Sequence, residues 1–153
     1  MSLKQSIASK QTEKIVVNMP QNAKIICFRE LGDSRGYLVA VEDAKDIPFQ
    51  IARVFYIYGT DTAAIRGCHA NRKTEFVLIN VCGSSKVKTM NGTSEEVYVL
   101  DKPNIGVYLP KMIWKEMYDF SPDSVLLCLC SEIYDPNEYI YDYNEFLKEV
   151  RYR

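Results

Sequence analysis

The chain contains only one histidine, His69, among its 153 residues. Protein zinc sites are built from several His and Cys ligands held close together, so His69 alone cannot form one. The five cysteines are an odd number and no two have Cys-x-x-Cys spacing, which argues against a zinc ribbon or a redox pair. We therefore predict no metal and no cofactor, and we expect the thiols to be reduced and buried in the core.

Long apolar runs and a strong net charge are also missing. No apolar segment reaches the roughly 18 residues of a membrane span, and residues 1–14 lack the apolar stretch of a signal peptide. The net charge is −1, whereas non-specific nucleic-acid binding needs a basic face. We predict a cytoplasmic protein with no membrane or nucleic-acid partner, with residues 1–14 as a flexible start and 15–153 as one domain.

What the chain does have is many short apolar runs separated by turn residues. Residues 49–58 are rich in aromatic and branched side chains, and Asn91-Gly92 is a strong hairpin signal. Regular strands without helices between them predict an all-β sandwich or barrel. The predicted strands are 24–31, 37–42, 49–58, 64–69, 75–81, 86–90, 95–100, 106–109, 113–119 and 124–131, with a turn at 32–36.

Only the C-terminal end has helical periodicity. Apolar and aromatic residues recur at helix-like spacing from Tyr139 to Val150, and Pro136 stands near the start. This pattern predicts one helix over 137–150. Because an open barrel of this size leaves unpaired strand edges, we also predict a homodimer, with residues 15–19 as a strand that crosses to the partner.

Polar residues concentrate around His69, whose side chain can exchange protons near neutral pH. In an extended segment His69 and Asn71 point to the same face, and Lys73 joins them if the strand continues. With Arg66 they form a candidate site. The alternative is a solvated basic turn, which we prefer for Arg72.

The spacing of Gly67, His69, Asn71, Glu75 and Gly83 is similar to the metal-binding motif of cupins, in which two histidines and a glutamate hold a divalent cation. Here Asn71 stands where the second histidine would be. A neutral amide is a poor ligand for borderline metals. This pattern predicts a pocket without a metal.

A further signal comes from longer segments: residues 48–58, 66–70 and 110–117, Tyr134-Asp135 and Tyr139-Ile140. Together they resemble the sugar 3,4-ketoisomerases, and the resemblance runs from about Phe28 to Phe146. It implies a cupin-type jelly roll (a double-stranded β-helix), a homodimer and no metal. The implied reaction moves the keto group of dTDP-4-keto-6-deoxyglucose from carbon 4 to carbon 3, for deoxyamino-sugar synthesis that serves surface polysaccharides.

The resemblance also implies site residues. The family motif Arg-Gly-x-His-Ala-His matches Arg66 and His69, and departs at Asn71. A further family histidine, in a Trp-His-Glu-Met segment, is Lys115 in this chain. The expected catalytic residues are His69, Tyr56, Tyr58 and Asn71, and the expected substrate-binding residues are Arg66, Lys73, Arg53, Arg35 and Lys115.

Three interpretations of the two departures stay open. His69 carries out all proton transfer, or Lys115 or a tyrosine assists it, or the chain binds a nucleotide sugar without ketoisomerase activity. A structural dimerisation module without a ligand is a fourth possibility, which the polar cluster around His69 disfavours.

Overall fold

Twelve β-strands and one α-helix form residues 21–152, the part of the chain that the computed structural model describes. The prediction of an all-β protein with one C-terminal helix is confirmed. In chain order the elements are β1 (Lys24–Cys27), β2 (Glu30–Asp33), β3 (Gly36–Val39), β4 (Arg53–Tyr58), β5 (Arg66–Asn71), β6 (Phe76–Cys82), β7 (Ser85–Met90), β8 (Glu95–Leu100), β9 (Ile105–Leu109), β10 (Trp114–Tyr118), β11 (Val125–Cys130), β12 (Tyr139–Ile140) and α1 (Tyr143–Arg151).

The strands build two five-stranded antiparallel sheets and a separate hairpin. The first sheet has the order β1-β9-β6-β11-β4, the second has the order β12-β5-β10-β7-β8, and β2 pairs with β3 alone. Alternate residues of each strand point inward, so the main core draws on both sheets, with Leu78 and Leu126 from the first and Val87 and Met117 from the second. The chain is therefore a β-sandwich whose core lies between the sheets.

Parts of both outer faces are covered as well. Ile47 and Phe49, which precede β4, pack on Ile79 of the first sheet. Helix α1 packs on the second sheet, where Phe146 lies against Trp114 at 5.8 Å between ring centroids. Because β6 is covered on both faces, it is apolar almost throughout instead of alternating.

The structure corrects the predicted boundaries at the N-terminal end of the described region. The strand predicted at 24–31 is two strands, because β1 joins the first sheet whereas β2 pairs only with β3. The turn predicted at 32–36 is narrower, since Asp33 and Gly36 are still paired and only Ser34 and Arg35 turn. The strand predicted at 49–58 begins at Arg53.

The predicted helix over 137–150 is wrong in its first part. Pro136–Glu138 form a 3₁₀ turn, and Tyr139 and Ile140 pair with β5. The helix starts after Asp142, whose carboxylate accepts a hydrogen bond from the Glu145 N–H at 2.8 Å and so caps the first turn. The helix-like spacing of Tyr139 thus does not reflect its conformation.

The prediction that the thiols are buried holds only in part. All five cysteines are free thiols, but only Cys128 and Cys130 are buried. Cys27, Cys68 and Cys82 are exposed, so that part of the prediction is wrong. Cys27 and Cys82 are the last residues of β1 and β6.

The predictions for the first residues and for the location of the protein remain predictions. The flexible start at 1–14 and the strand at 15–19 lie outside the described residues. Within residues 21–152, no helix is long and apolar enough to cross a membrane.

Replacing Phe146 should show how far α1 supports the fold. Its side chain is fully buried, so we expect Phe146→Ala to lower the free energy of unfolding by about 3–5 kcal/mol through lost burial and a cavity. Tyr152→Ala is the control, because Tyr152 is 90% exposed. Urea denaturation measures both, and equal effects of the two substitutions would contradict the packing described for α1.

Candidate active site

A cavity of about 130 Å³ opens between the two sheets. Its walls are apolar except for a few ionisable and polar side chains at one side, which is the usual character of a small-molecule site. The lining residues are Phe55, Ile57, Arg66, Gly67, His69, Phe76, Leu78, Lys115, Met117, Cys128 and Tyr139.

A β-bulge in β5 brings Arg66 and His69 to this cavity together. Residues three apart in a regular strand point to opposite faces. Here His69 pairs with Lys115 and Gly67 with Glu116, so that Cys68 is an extra residue without a partner. Both Gly67 and Cys68 have positive φ, of 85° and 53°, and a Cβ on Gly67 would lie 2.8 Å from the Lys115 carbonyl oxygen. Glycine is therefore required at this position.

The His69 ring is held as a neutral base. Its Nδ1 lies 2.9 Å from the Gly67 carbonyl oxygen, and since a carbonyl only accepts, Nδ1 carries the proton and Nε2 is left as the acceptor. Burial, aided by the positive charge of Lys115, lowers the pKa of His69 to about 4. At neutral pH the imidazole can therefore take up a proton at Nε2.

Tyrosines from the C-terminal segment flank His69. The His69 ring centroid lies 4.9 Å from that of Tyr139 and 5.8 Å from that of Tyr141. The two tyrosine rings are stacked at 5.7 Å. Tyr139 lines the cavity, and the two rings together limit how the imidazole can rotate.

A chain of buried polar groups lies beside His69. The Lys115 ammonium donates a hydrogen bond to Asn71 Oδ1 at 2.6 Å. The Asn71 amide in turn donates from Nδ2 to Glu138 Oε1 at 3.1 Å. All three side chains are buried, so each polar contact is made in a low-dielectric environment, where it is strong and where its loss is costly.

Glu138 anchors the end of this series of hydrogen bonds. Its carboxylate also accepts hydrogen bonds from the backbone N–H groups of Lys73 (2.7 Å) and Thr74 (2.9 Å) and from the Thr74 hydroxyl. Burial alone raises the pKa of Glu138, but these donors outweigh it and hold the pKa below its usual range. The carboxylate is therefore a permanent negative charge at neutral pH.

The two departures from the ketoisomerase motif are thus one structural unit. Asn71 and Lys115 lie 44 positions apart in sequence, yet their side chains share a hydrogen bond. Burial lowers the pKa of Lys115 to about 7, and its nitrogen also lies 4.5 Å from the centroid of the Phe76 ring. An amide oxygen is a suitable acceptor for a buried ammonium, which explains why these two residue types occur together.

Tyr56 and Tyr58 are not at the cavity. In β4 the side chains of Phe55 and Ile57 face inward, and strand alternation turns Tyr56 and Tyr58 to the outside. They are 62% and 70% exposed. The structure does not bring these two predicted residues to His69.

The predicted cationic residues are spread out. Arg66 lines the cavity, whereas Lys73 follows the end of β5 with its side chain exposed. Arg35 lies at the exposed hairpin turn and pairs with Asp33. Arg53 lies between the Phe55 and Tyr134 rings, near the cavity wall, with Nε and one Nη lacking hydrogen-bond partners.

Arg72 lies in the bend between β5 and β6, and 29% of its side chain is exposed. Its guanidinium contacts Glu149 at 2.6 Å and Glu145 at 3.1 Å, so it ties the end of β5 to α1. The preference for a solvated turn at Arg72 therefore holds for its position in the bend but misses these two ion pairs.

Glu138 and Tyr139 are site residues that sequence reasoning missed. Both lie within the predicted helix, and although Tyr139 is among the residues that carry the family resemblance, it was not predicted to be a site residue. The available hint was Asp135-Pro136, because Asp135 caps the 3₁₀ turn that presents Glu138. Across residues 21–152, no three His, Cys, Asp or Glu side chains are grouped closely enough to hold a metal ion.

Comparison with known proteins agrees with the resemblance. A family described as "FdtA: WxcM-like, C-terminal" matches residues 21–151. The chain belongs to this family of WxcM-like sugar 3,4-ketoisomerases. A relative, the TDP-4-oxo-6-deoxy-α-D-glucose-3,4-oxoisomerase of Aneurinibacillus thermoaerophilus, is 43% identical over 127 residues, which cover 83% of this chain and 91% of that protein.

Solved structures of ketoisomerases have the same fold. A 3,4-ketoisomerase from Helicobacter canadensis has a TM-score of 0.82 and 43% identity, covering 85% of this chain and 98% of its own. QdtA from Thermoanaerobacterium thermosaccharolyticum has a TM-score of 0.84 and 37% identity, and the match covers 88% of this chain and 98% of the QdtA chain. That structure is a histidine-to-asparagine variant in complex with TDP-4-keto-6-deoxyglucose. The predicted cupin-type fold and the family resemblance are confirmed.

The contact between Asn71 and Lys115 predicts that their substitutions are energetically coupled. Asn71→Ala or Lys115→Met alone leaves a buried polar group without its partner, so we expect each to cost about 1–3 kcal/mol. In the double variant neither partner remains, so its cost should be smaller than the sum by about 1–2 kcal/mol. Urea denaturation below the Lys115 pKa of about 7 tests this, and strict additivity would contradict the contact.

Proposed function

We propose that the chain is a sugar-nucleotide 3,4-ketoisomerase that moves the keto group of a dTDP-4-keto-6-deoxy-hexose from carbon 4 to carbon 3. The observation that carries this proposal is the neutral His69 imidazole, which lines the cavity and whose Nε2 is left as the acceptor. Relatives that share 37–43% identity over most of the chain are named for this reaction.

The reaction requires one base that moves a proton between neighbouring carbons. His69 Nε2 takes the proton from carbon 3, and the electron pair forms a cis-enediolate with the former carbonyl oxygen. The hydroxyl proton then shifts from the carbon 3 oxygen to the carbon 4 oxygen, and the protonated imidazole returns its proton at carbon 4 while the carbonyl forms at carbon 3. Because the same ring takes and returns the proton, no metal is needed and His69 ends in its starting state.

Arg66 is suited to the diphosphate of the substrate. It lies at the exposed rim of the cavity, and its side chain forms no hydrogen bond or ion pair with the other described residues. A guanidinium binds phosphate oxygens with a planar pair of donors. Arg53, whose unpartnered donors lie near the cavity wall, is a second candidate, and Arg35 and Lys73 lie further out.

The chain also has a surface suited to homodimer formation. Strand β4 is an edge of the first sheet, and its outer face exposes Val54, Tyr56 and Tyr58. An exposed edge with apolar side chains is a template for pairing with another strand. We propose that two copies meet at this edge, in the cytoplasm, where the product serves deoxyamino-sugar synthesis for surface polysaccharide.

Removing the imidazole should abolish turnover and spare binding. We expect His69→Asn to lower kcat by at least about 10²-fold, since general acid–base catalysis is worth about 10²–10⁴-fold and the chain has no other histidine. Binding of dTDP, measured by calorimetry, should change little. Proton NMR of dTDP-4-keto-6-deoxyglucose follows both the exchange at carbon 3 and the product.

The activity of the wild-type protein decides between this function and the alternative, a protein that binds a nucleotide sugar without ketoisomerase activity. A wild-type chain that binds the nucleotide sugar but neither exchanges the carbon 3 proton nor forms product would be a diverged binding protein. Full activity in His69→Asn would refute the assignment of the base.

Arg66→Ala should produce the opposite pattern. Loss of a charge-assisted phosphate contact should weaken dTDP binding by about 1.5–3 kcal/mol, or roughly 10–100-fold, with a smaller effect on kcat. Arg151→Ala is the control, because Arg151 is exposed at the end of α1. Unchanged dTDP affinity in Arg66→Ala would remove Arg66 from the binding site.

The oligomeric state should depend on the outer face of β4. Sedimentation at micromolar concentration should show a dimer, and Val54→Asp should shift it to a monomer by placing a charge in the apolar contact. Thr93→Asp, on an exposed turn, should leave the dimer intact. A wild-type monomer would refute the homodimer, and a dimeric Val54→Asp variant would place the interface elsewhere.

A further inference from the structure

Lys115 is a buried cation that the proton transfer by His69 does not use. It lies directly across from His69, since the two residues are register partners in β10 and β5. Side chains of such partners stand on the same face about 4.5–5.5 Å apart at Cβ, and both line the cavity. Any ligand that reaches His69 therefore also meets Lys115.

The Lys115 ammonium has more N–H donors than the described residues give it acceptors. It carries three N–H groups, and within residues 21–152 its one hydrogen-bond acceptor is Asn71 Oδ1. The Phe76 ring face offers a second, weaker contact. No carboxylate of the described residues touches the ammonium, because Glu138 lies beyond Asn71. A buried cation without a direct counter-ion stabilises a negative charge that forms next to it.

We propose that Lys115 is a catalytic residue of the isomerisation, whose ammonium donates hydrogen bonds to the enediolate oxygen that forms when His69 removes the carbon 3 proton. This inference rests on the proposed function. Asn71 is the positioning residue: its Oδ1 holds the ammonium, and its orientation is set by the bond from Nδ2 to Glu138.

The protons and electrons of the reaction balance without any change in the protonation of Lys115. When the C3–H bond breaks, its electron pair forms the C3=C4 bond and the carbonyl pair moves to the carbon 4 oxygen, which Lys115 stabilises. The hydroxyl proton shifts from the carbon 3 oxygen to the carbon 4 oxygen. A carbonyl then forms at carbon 3 as carbon 4 takes the proton from His69. Lys115 remains an ammonium throughout.

This role gives the reaction an alkaline limit. The ammonium form is required, so activity should fall as pH rises through the Lys115 pKa, which burial lowers to about 7. The groups that face Lys115 are Glu138, Cys130 and Cys128, which raise its pKa, and His69, which is neutral in this range. On the acidic side, the neutral imidazole is lost only near pH 4.

Two substitutions separate charge from side-chain volume. Lys115→Met removes the charge from a similar volume, so kcat should fall by about 10²–10³-fold, as when an oxyanion donor is lost, with dTDP affinity changed less than about threefold. Lys115→Arg keeps a cation that does not deprotonate, so it should retain most activity. The control is Lys111→Met, which alters an exposed lysine outside the cavity and should match the wild type.

The pH profile of kcat is the decisive readout. The wild type should lose activity above about pH 7, whereas Lys115→Arg should stay level into the alkaline range, because a guanidinium has a pKa above about 12. A purely structural role would lower stability without moving this limit. If Lys115→Met does not fold, the profile of Lys115→Arg still decides.

The outcomes distinguish the two proposals. An active wild type with an unchanged kcat in Lys115→Met, or an alkaline limit that persists in Lys115→Arg, overturns the role of Lys115 and leaves the ketoisomerase function intact. A wild type that forms no product overturns the proposed function, and the role of Lys115 with it.

Discussion

The buried carboxylate of Glu138 is the interaction on which the geometry of the site depends. It collects hydrogen bonds from Lys73, Thr74 and Asn71, so it joins the 3₁₀ turn before β12 to the end of β5. This junction places Tyr139 beside His69 and orients the Asn71 amide toward Lys115. Burying a charge is costly unless it is paired or fully hydrogen-bonded, and here every donor comes from the segments that frame the cavity.

The bulge in β5 makes the second contribution. The unpaired Cys68 rotates the strand so that both Arg66 and His69 face inward, while the Gly67 carbonyl that precedes it accepts the Nδ1 proton of His69. One local irregularity thus sets both the direction and the tautomer of the base. Bulges often re-aim side chains at functional sites for this reason.

Asn71 and Lys115 show how two residues that depart from a family motif can form a matched pair. Where the family motif has two histidines, this chain has an amide and an ammonium in direct contact. Either substitution alone would leave a buried donor or acceptor unmatched, which is costly. The pair is self-consistent, and it leaves a cation facing the same cavity as a neutral imidazole.

The sequence by itself determined the all-β class, the single C-terminal helix, the family, and the grouping of His69 with Arg66, which both line one cavity. These follow from local patterns: strand-forming runs between turns, and a motif whose members lie within a few residues of one another. The exclusion of Tyr56 and Tyr58 from the cavity also rests on simple alternation, but only the position of β4 in the sheet shows which face is inward.

Only the tertiary structure decided the start of the helix at Tyr143, the role of Glu138 and the contact between Asn71 and Lys115. Residues 137–140 lie in the helix that the spacing of apolar residues predicted. Pairing with β5 and hydrogen bonds to a buried carboxylate override this local preference. Contacts such as that between Asn71 and Lys115 join residues on different strands. Their energy depends on burial and on which partner faces them, and neither is a property of a single segment.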